Sequence, residues 1–127
     1  MSAPAVAPVV KQLNQEQIAR YADASGDHNP IHVDEAFARA TPFGGTIAHG
    51  MLVLAFISEM MTSAFGEAWL TGGRLRVRFR APARPNDTIT ASAQPQGGRD
   101  VTLTYNVECR NQKDEVLISG TAEVPRG

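Results

Sequence analysis

A single cysteine, Cys109, stands in the 127 residues. One cysteine excludes an internal disulfide and a multi-cysteine zinc site, and it fits a reducing cytoplasm. An excess of one charge is missing too. The 12 Lys and Arg against 13 Asp and Glu leave a net charge of −1, without the electrostatic attraction on which nucleic-acid binders rely. DNA and RNA are therefore disfavoured as partners. Long hydrophobic runs are also absent. The longest, Met51 to Ile57, is about a third of the roughly 20 residues that a membrane span needs. The N-terminus has Pro4 and Pro8 and no charge before Lys11, so neither a signal peptide nor a transmembrane helix is expected. No repeat and no low-complexity linker divides the chain, and residues 1–127 read as one domain.

What is present is the composition of a packed globular protein, 43% hydrophobic and 20% charged. Residues 1–13 suggest a loose start and a short edge strand. Asn14 can cap a helix with Ile18, Tyr21 and Ala22 at helical spacing, which Gly26 ends. Asp34 can cap a second, Glu35 to Ala40, with Ala36, Phe37 and Ala40 on one side. From His49 to Phe65 apolar residues fall at every angle of a helical wheel, so this helix is expected to be buried nearly all round. Beyond Gly66 the period becomes two. Leu75, Val77 and Phe79 alternate with arginines, residues Asp87 to Ala93 form a Thr/Ala strand, and Val101 to Cys109 and Val116 to Val124 continue the pattern. The expectation is an α+β domain in which an antiparallel meander of four or five strands curls around one long helix.

The chemistry is concentrated in Ser25-Gly26-Asp27-His28-Asn29-Pro30-Ile31-His32-Val33-Asp34 and in Ile47-Ala48-His49-Gly50-Met51. Pro30 lacks an N–H and restricts Asn29 to extended geometry, so the first segment is expected to be a stiff irregular loop carrying Asp27 and His32. A carboxylate and an imidazole converging on one point can orient a water, remove its proton and deliver a proton elsewhere near neutral pH. Taken singly, such an Asp is more often a turn or cap residue and such a His a structural one. At Gly50 the long helix would present unpaired amides and the positive end of its dipole, a place to hold a thioester oxygen as it gains negative charge. His28 and His32 have the i, i+4 spacing of a metal pair, but Pro30 breaks the helix that would align them, and no metal is expected. Arg74, Arg76, Arg78 and Arg80 read most simply as the solvent face of a strand.

The combination YADASGDHNPIHVDEAFA…FGGTIAHGM resembles the MaoC-like dehydratases, the (R)-specific enoyl-CoA hydratases of the hot-dog fold. Their pattern runs Gly-Asp-x-Asn-Pro-x-His, then Asp, then His-Gly-Met at the head of the central helix. The resemblance implies that Asp27 and His32 are the catalytic pair and that the Gly50 amide forms the oxyanion hole. It also implies substrate-side roles for Asn29, which supports the loop, and for Ser58 and Met61, which would line an acyl tunnel. The implied reaction is reversible hydration of a trans-2-enoyl thioester, carried by CoA or an acyl-carrier protein, to the (R)-3-hydroxyacyl thioester. It needs no cofactor, and the implied assembly is a homodimer. A hot-dog thioesterase and a non-catalytic acyl-CoA-binding subunit remain the alternatives.

Overall fold

The computed structural model of the chain describes residues 3–99 and 101–126. Strand β1 (Val9–Gln12) leads into helix α1 (Gln15–Ser25). Asn14 and Gln17 form a reciprocal capping box at the head of α1, and Gly26 closes it with φ 80°. Two short helices follow, α2 (Pro30–Val33) and α3 (Glu35–Arg39), and then the long helix α4 (Gly50–Phe65). Helix α5 (Glu67–Gly72) precedes strands β2 (Arg74–Phe79), β3 (Thr88–Arg99), β4 (Thr102–Arg110) and β5 (Val116–Pro125).

The five strands form one antiparallel sheet in the order β1-β3-β4-β5-β2. Only β3, β4 and β5 make a true meander. Strand β2 pairs with β5 instead of its successor β3, which corrects the simple meander expected from the period-two pattern. Strand alternation specifies which side chains face the core, but not which strands become neighbours. Ala91, Ala93, Leu103, Tyr105, Val107, Cys109, Ile118, Ala122 and Val124 form the buried face of the sheet.

Helix α4 packs on that face, but it is not buried all round. Val53, Phe56, Ile57, Met60 and Met61 make a buried stripe at helical spacing, whereas Met51 is 56% exposed. A single sheet covers only one side of a helix, so Leu52 and Leu54 are only partly buried against the core and Met51 is left at the surface. Helix α3 buries Ala38 and leaves Phe37 at the surface. Helix α5 was not legible from periodicity. Its one turn and a half is held by Trp69, which is buried and donates its indole N–H to Ser58 Oγ at 3.0 Å.

The turn before β3 illustrates how local chemistry sets a corner. Asn86 adopts φ 75°, a conformation that Asn tolerates better than most side chains. Beside it, buried Asp87 accepts from the Arg84 amide at 2.8 Å and from Gln112 Nε2 at 2.9 Å.

Candidate active site

The segment between α1 and α3 is more regular than an irregular loop. Pro30 occupies the first position of α2, where its missing N–H would have been unpaired in any case and its fixed φ suits the helix. Asn29 caps that turn by accepting from the Ile31 amide at 3.0 Å, and its own amide donates to Asp27 Oδ1 at 3.2 Å. Asn29 is thus a loop-building residue whose bonds are all local. Pro30 starts a helix here, and the chain before it carries His28 away. His28 is half exposed and donates Nε2–H to Asp23 at 2.9 Å, and that hydrogen bond raises its pKa.

Asp27 and His32 converge. Asp27 Oδ2 lies 3.9 Å from His32 Nε2, with the imidazole largely buried and the carboxylate half exposed. The other ring nitrogen, His32 Nδ1, is 2.8 Å from the carbonyl of Ile47. A carbonyl only accepts, so Nδ1 carries the hydrogen and the Nε2 lone pair of the neutral ring faces Asp27. Two acceptors therefore face each other at a distance that leaves room for a bridging donor such as water.

His49 is the residue the sequence reading overlooked, although its place immediately before Gly50 was already singled out. It is 3% exposed, its ring stacks on His32 with centroids 3.8 Å apart, and Tyr21 packs against its other surroundings at 4.8 Å. Its Nε2–H donates to the main-chain carbonyl of Asp27 at 2.9 Å. Its Nδ1 is buried and has no partner among the described residues. His49 also precedes α4, where it makes no side-chain cap. Leu52 and Val53 both donate to the His49 carbonyl, and the Gly50 amide has no acceptor among the described residues. One residue thus ties together the Asp27 backbone, the His32 ring and the head of α4.

Asp27, His32 and His49 could be read as a metal trio, since one ligand atom from each lies within 4.8 Å of the others. The free nitrogens do not suit it. His32 Nδ1 and His49 Nε2 are occupied by carbonyls, and the two stacked rings direct their remaining lone pairs along nearly parallel planes instead of at one point.

A cavity of about 300 Å³ opens beside Gly50, lined among others by Ile47, Val53, Phe79, Arg80, Ala83 and Ile118. The Phe79 ring packs so closely that a Cβ on Gly50 would come within 2.9 Å of it, so a larger residue there would have to displace the ring. Ser58 and Met61 are not in this cavity's wall. Ser58 holds Trp69, and Met61 is fully buried in the core.

Residues 3–116 match the family model described as the MaoC-like domain. The chain belongs to that family. This MaoC-like domain is 32% identical over 120 residues to an (R)-specific enoyl-CoA hydratase of Rhodospirillum rubrum, covering 93% of this chain and 83% of that protein. It is also 32% identical over 115 residues to a 3-hydroxybutyryl-CoA dehydratase of Methylorubrum extorquens, covering 90% of this chain and 73% of the relative. Among solved structures, an (R)-hydratase from A. caviae involved in PHA biosynthesis superposes with TM-score 0.85 at 26% identity, over 98% of this chain and 97% of that one. The MaoC-like domain therefore has the hot-dog fold, with α4 as the helix around which the sheet curls. No helix among its described residues is long and apolar enough to cross a membrane.

Proposed function

We propose that this MaoC-like domain is a hydro-lyase that adds water reversibly to a trans-2-enoyl-CoA, giving the (R)-3-hydroxyacyl-CoA. The observation that carries this reading is the facing pair Asp27 Oδ2 and His32 Nε2, 3.9 Å apart. A water between two acceptors gives one hydrogen to each and turns its lone pairs outward, toward C3 of the substrate. As the C3–O bond forms, one hydrogen stays on the new hydroxyl beside Asp27, and the other passes to His32 Nε2. The imidazolium, stabilised by the Asp27 carboxylate, delivers that proton to C2 on the same face. The electrons of the double bond pass through the thioester, whose oxygen becomes enolate-like and accepts from the Gly50 amide at the positive end of α4. Dehydration is the same sequence reversed.

In this reading residues 1–127 act as one domain in a reducing cytoplasm, consistent with the lone buried thiol Cys109. The active species is a homodimer. The uncovered side of α4 and the exposed Phe43, Met51 and Phe79 near Gly50 supply the apolar surface that a second copy would cover. Light scattering should give twice 13.6 kDa.

The deciding experiment incubates the protein with crotonyl-CoA and resolves the product on a chiral column. Formation of (R)-3-hydroxybutyryl-CoA is expected. Release of free CoA thiol would identify a thioesterase instead, and binding without turnover a non-catalytic subunit.

A further inference from the structure

Between Ala68 and Asn86 the chain carries Arg74, Arg76, Arg78, Arg80 and Arg84 and no acidic residue, in a protein whose net charge is −1. Arg84 is committed to the Phe43 carbonyl. The other four alternate along β2 and just past it, so they share one face of the sheet. On the neighbouring strand Arg76 faces Thr121 and Arg78 faces Ser119. Directly opposed residues of an antiparallel pair point to the same side. Arg76, Arg78, Arg80, Ser119, Gly120 and Thr121 accordingly enclose a shallow depression of about 290 Å³.

Two features distinguish this depression from an ordinary solvated strand. Among the described residues none of Arg76, Arg78 and Arg80 pairs with a carboxylate within 4.0 Å, and the acid nearest in register, Glu123, stands opposite Arg74 at the far end of the strand. And Arg80 belongs to two places at once. Its Nε donates to Ser119 Oγ at 2.5 Å at the rim of the depression, and it also stands in the wall of the cavity beside Gly50. The basic surface therefore meets the cavity beside Gly50, whose wall includes Gly50 but not Asp27 or His32. At about 3.3 Å per residue, Arg76 lies roughly 13 Å along the strand from Arg80.

We infer that this depression is the binding site for the phosphate-bearing end of the thioester carrier, with Arg76 and Arg78 gripping the phosphate and the Ser119 and Thr121 hydroxyls assisting. The inference rests on the proposed function, since it supplies the carrier to which the acyl group is attached. A pantetheine arm is uncharged and ends in phosphate. Threaded from Gly50 past Arg80, it brings a dianion to a surface where, among the described residues, the guanidiniums of Arg76, Arg78 and Arg80 have no carboxylate partner. Arginine suits that task because its planar fork makes two parallel bonds to phosphate oxygens. The concentrated positive field also speeds capture of an anionic substrate at low salt.

The test compares the wild type with the Arg76→Gln/Arg78→Gln double variant on three substrates: crotonyl-CoA, crotonyl-4′-phosphopantetheine and crotonyl-pantetheine, which has no phosphate. The wild type is expected to show a lower KM for the phosphorylated substrates than for crotonyl-pantetheine, a preference that fades as ionic strength rises. In the variant, KM for crotonyl-CoA should increase about tenfold with kcat unchanged, while crotonyl-pantetheine kinetics stay as in the wild type. If crotonyl-4′-phosphopantetheine shares the loss, the phosphate of the arm is the one held. If only crotonyl-CoA shows it, the nucleotide phosphates are. Equal KM values for crotonyl-CoA and crotonyl-pantetheine in the wild type, or an equal change for both in the variant, would overturn the site while leaving the hydratase reading intact. Failure of the wild type to hydrate any of the three would overturn that reading and the site with it.

Discussion

The imidazoles of His32 and His49 stack with centroids 3.8 Å apart and planes 26° from parallel. Each ring is pinned by a main-chain carbonyl, His32 by Ile47 and His49 by Asp27. The anchors are crossed: the residue beside Gly50 holds the backbone of the candidate acid–base loop, and the segment leading to α4 holds the imidazole of that loop. A displacement of either segment would disturb both the Asp27–His32 pair and the Gly50 amide.

Asp27→Asn and His32→Ala are each expected to lower kcat by at least about two orders of magnitude, the usual effect of losing a positioned acid or base. Asp27 is half exposed, so Tm should move little in Asp27→Asn, whereas His32→Ala also removes a largely buried ring bonded to the Ile47 carbonyl and stacked on His49 and should lower Tm. Steady-state hydration of crotonyl-CoA, followed at the enoyl absorbance, checks this; either variant turning over at near wild-type rate would remove that residue from the mechanism.

His49 should act through position. His49→Ala removes both the stack on His32 and the bond to the Asp27 carbonyl, and is expected to lower kcat by about ten- to a hundredfold. His49→Gln retains an N–H donor at comparable reach and should recover a substantial part of the rate. If the two variants lose activity equally while differing in Tm, the bond to Asp27 matters only for folding.

Ser58→Ala leaves the buried Trp69 indole N–H without its acceptor, an expected loss of about 1–3 kcal/mol. Calorimetry should show this as a Tm several degrees lower. The chain-length profile should be unchanged, since Ser58 faces Trp69 and not the cavity beside Gly50. A shifted profile in the folded variant would restore Ser58 to the acyl path.

Burial, with a smaller contribution from Glu108, pushes the Cys109 thiol up to about 12. The native protein should therefore resist iodoacetamide at pH 8 under conditions that fully alkylate it in urea. Because the folded chain keeps a proton that the unfolded chain releases, the stability from this group is present below the ordinary thiol value and is lost as pH rises toward about 12. Unfolding midpoints compared for the wild type and Cys109→Ala across alkaline pH would reveal the difference; identical slopes would show that Cys109 does not contribute it.

By itself the sequence determined everything that depends on a few neighbouring residues. The capping box at Asn14, the stop at Gly26, the cap at Asp34, the head of α4 at Gly50 and the alternation of β4 and β5 all follow from caps, backbone freedom and periods. Asp27, His32 and Gly50 were singled out from two short segments, 25–34 and 47–51, and their roles came from the family resemblance. The tertiary structure alone decided that β2 pairs with β5, that Arg80 joins the Gly50 cavity to the arginine face, that Ser58 turns to Trp69, and that His49 lies on His32 with one nitrogen on the Asp27 carbonyl. These relationships join segments distant in the chain, and no local propensity specifies a distant partner. They are selected only when the sheet closes over α4 and buried polar groups take their acceptors and donors from whatever segment packing has brought beside them.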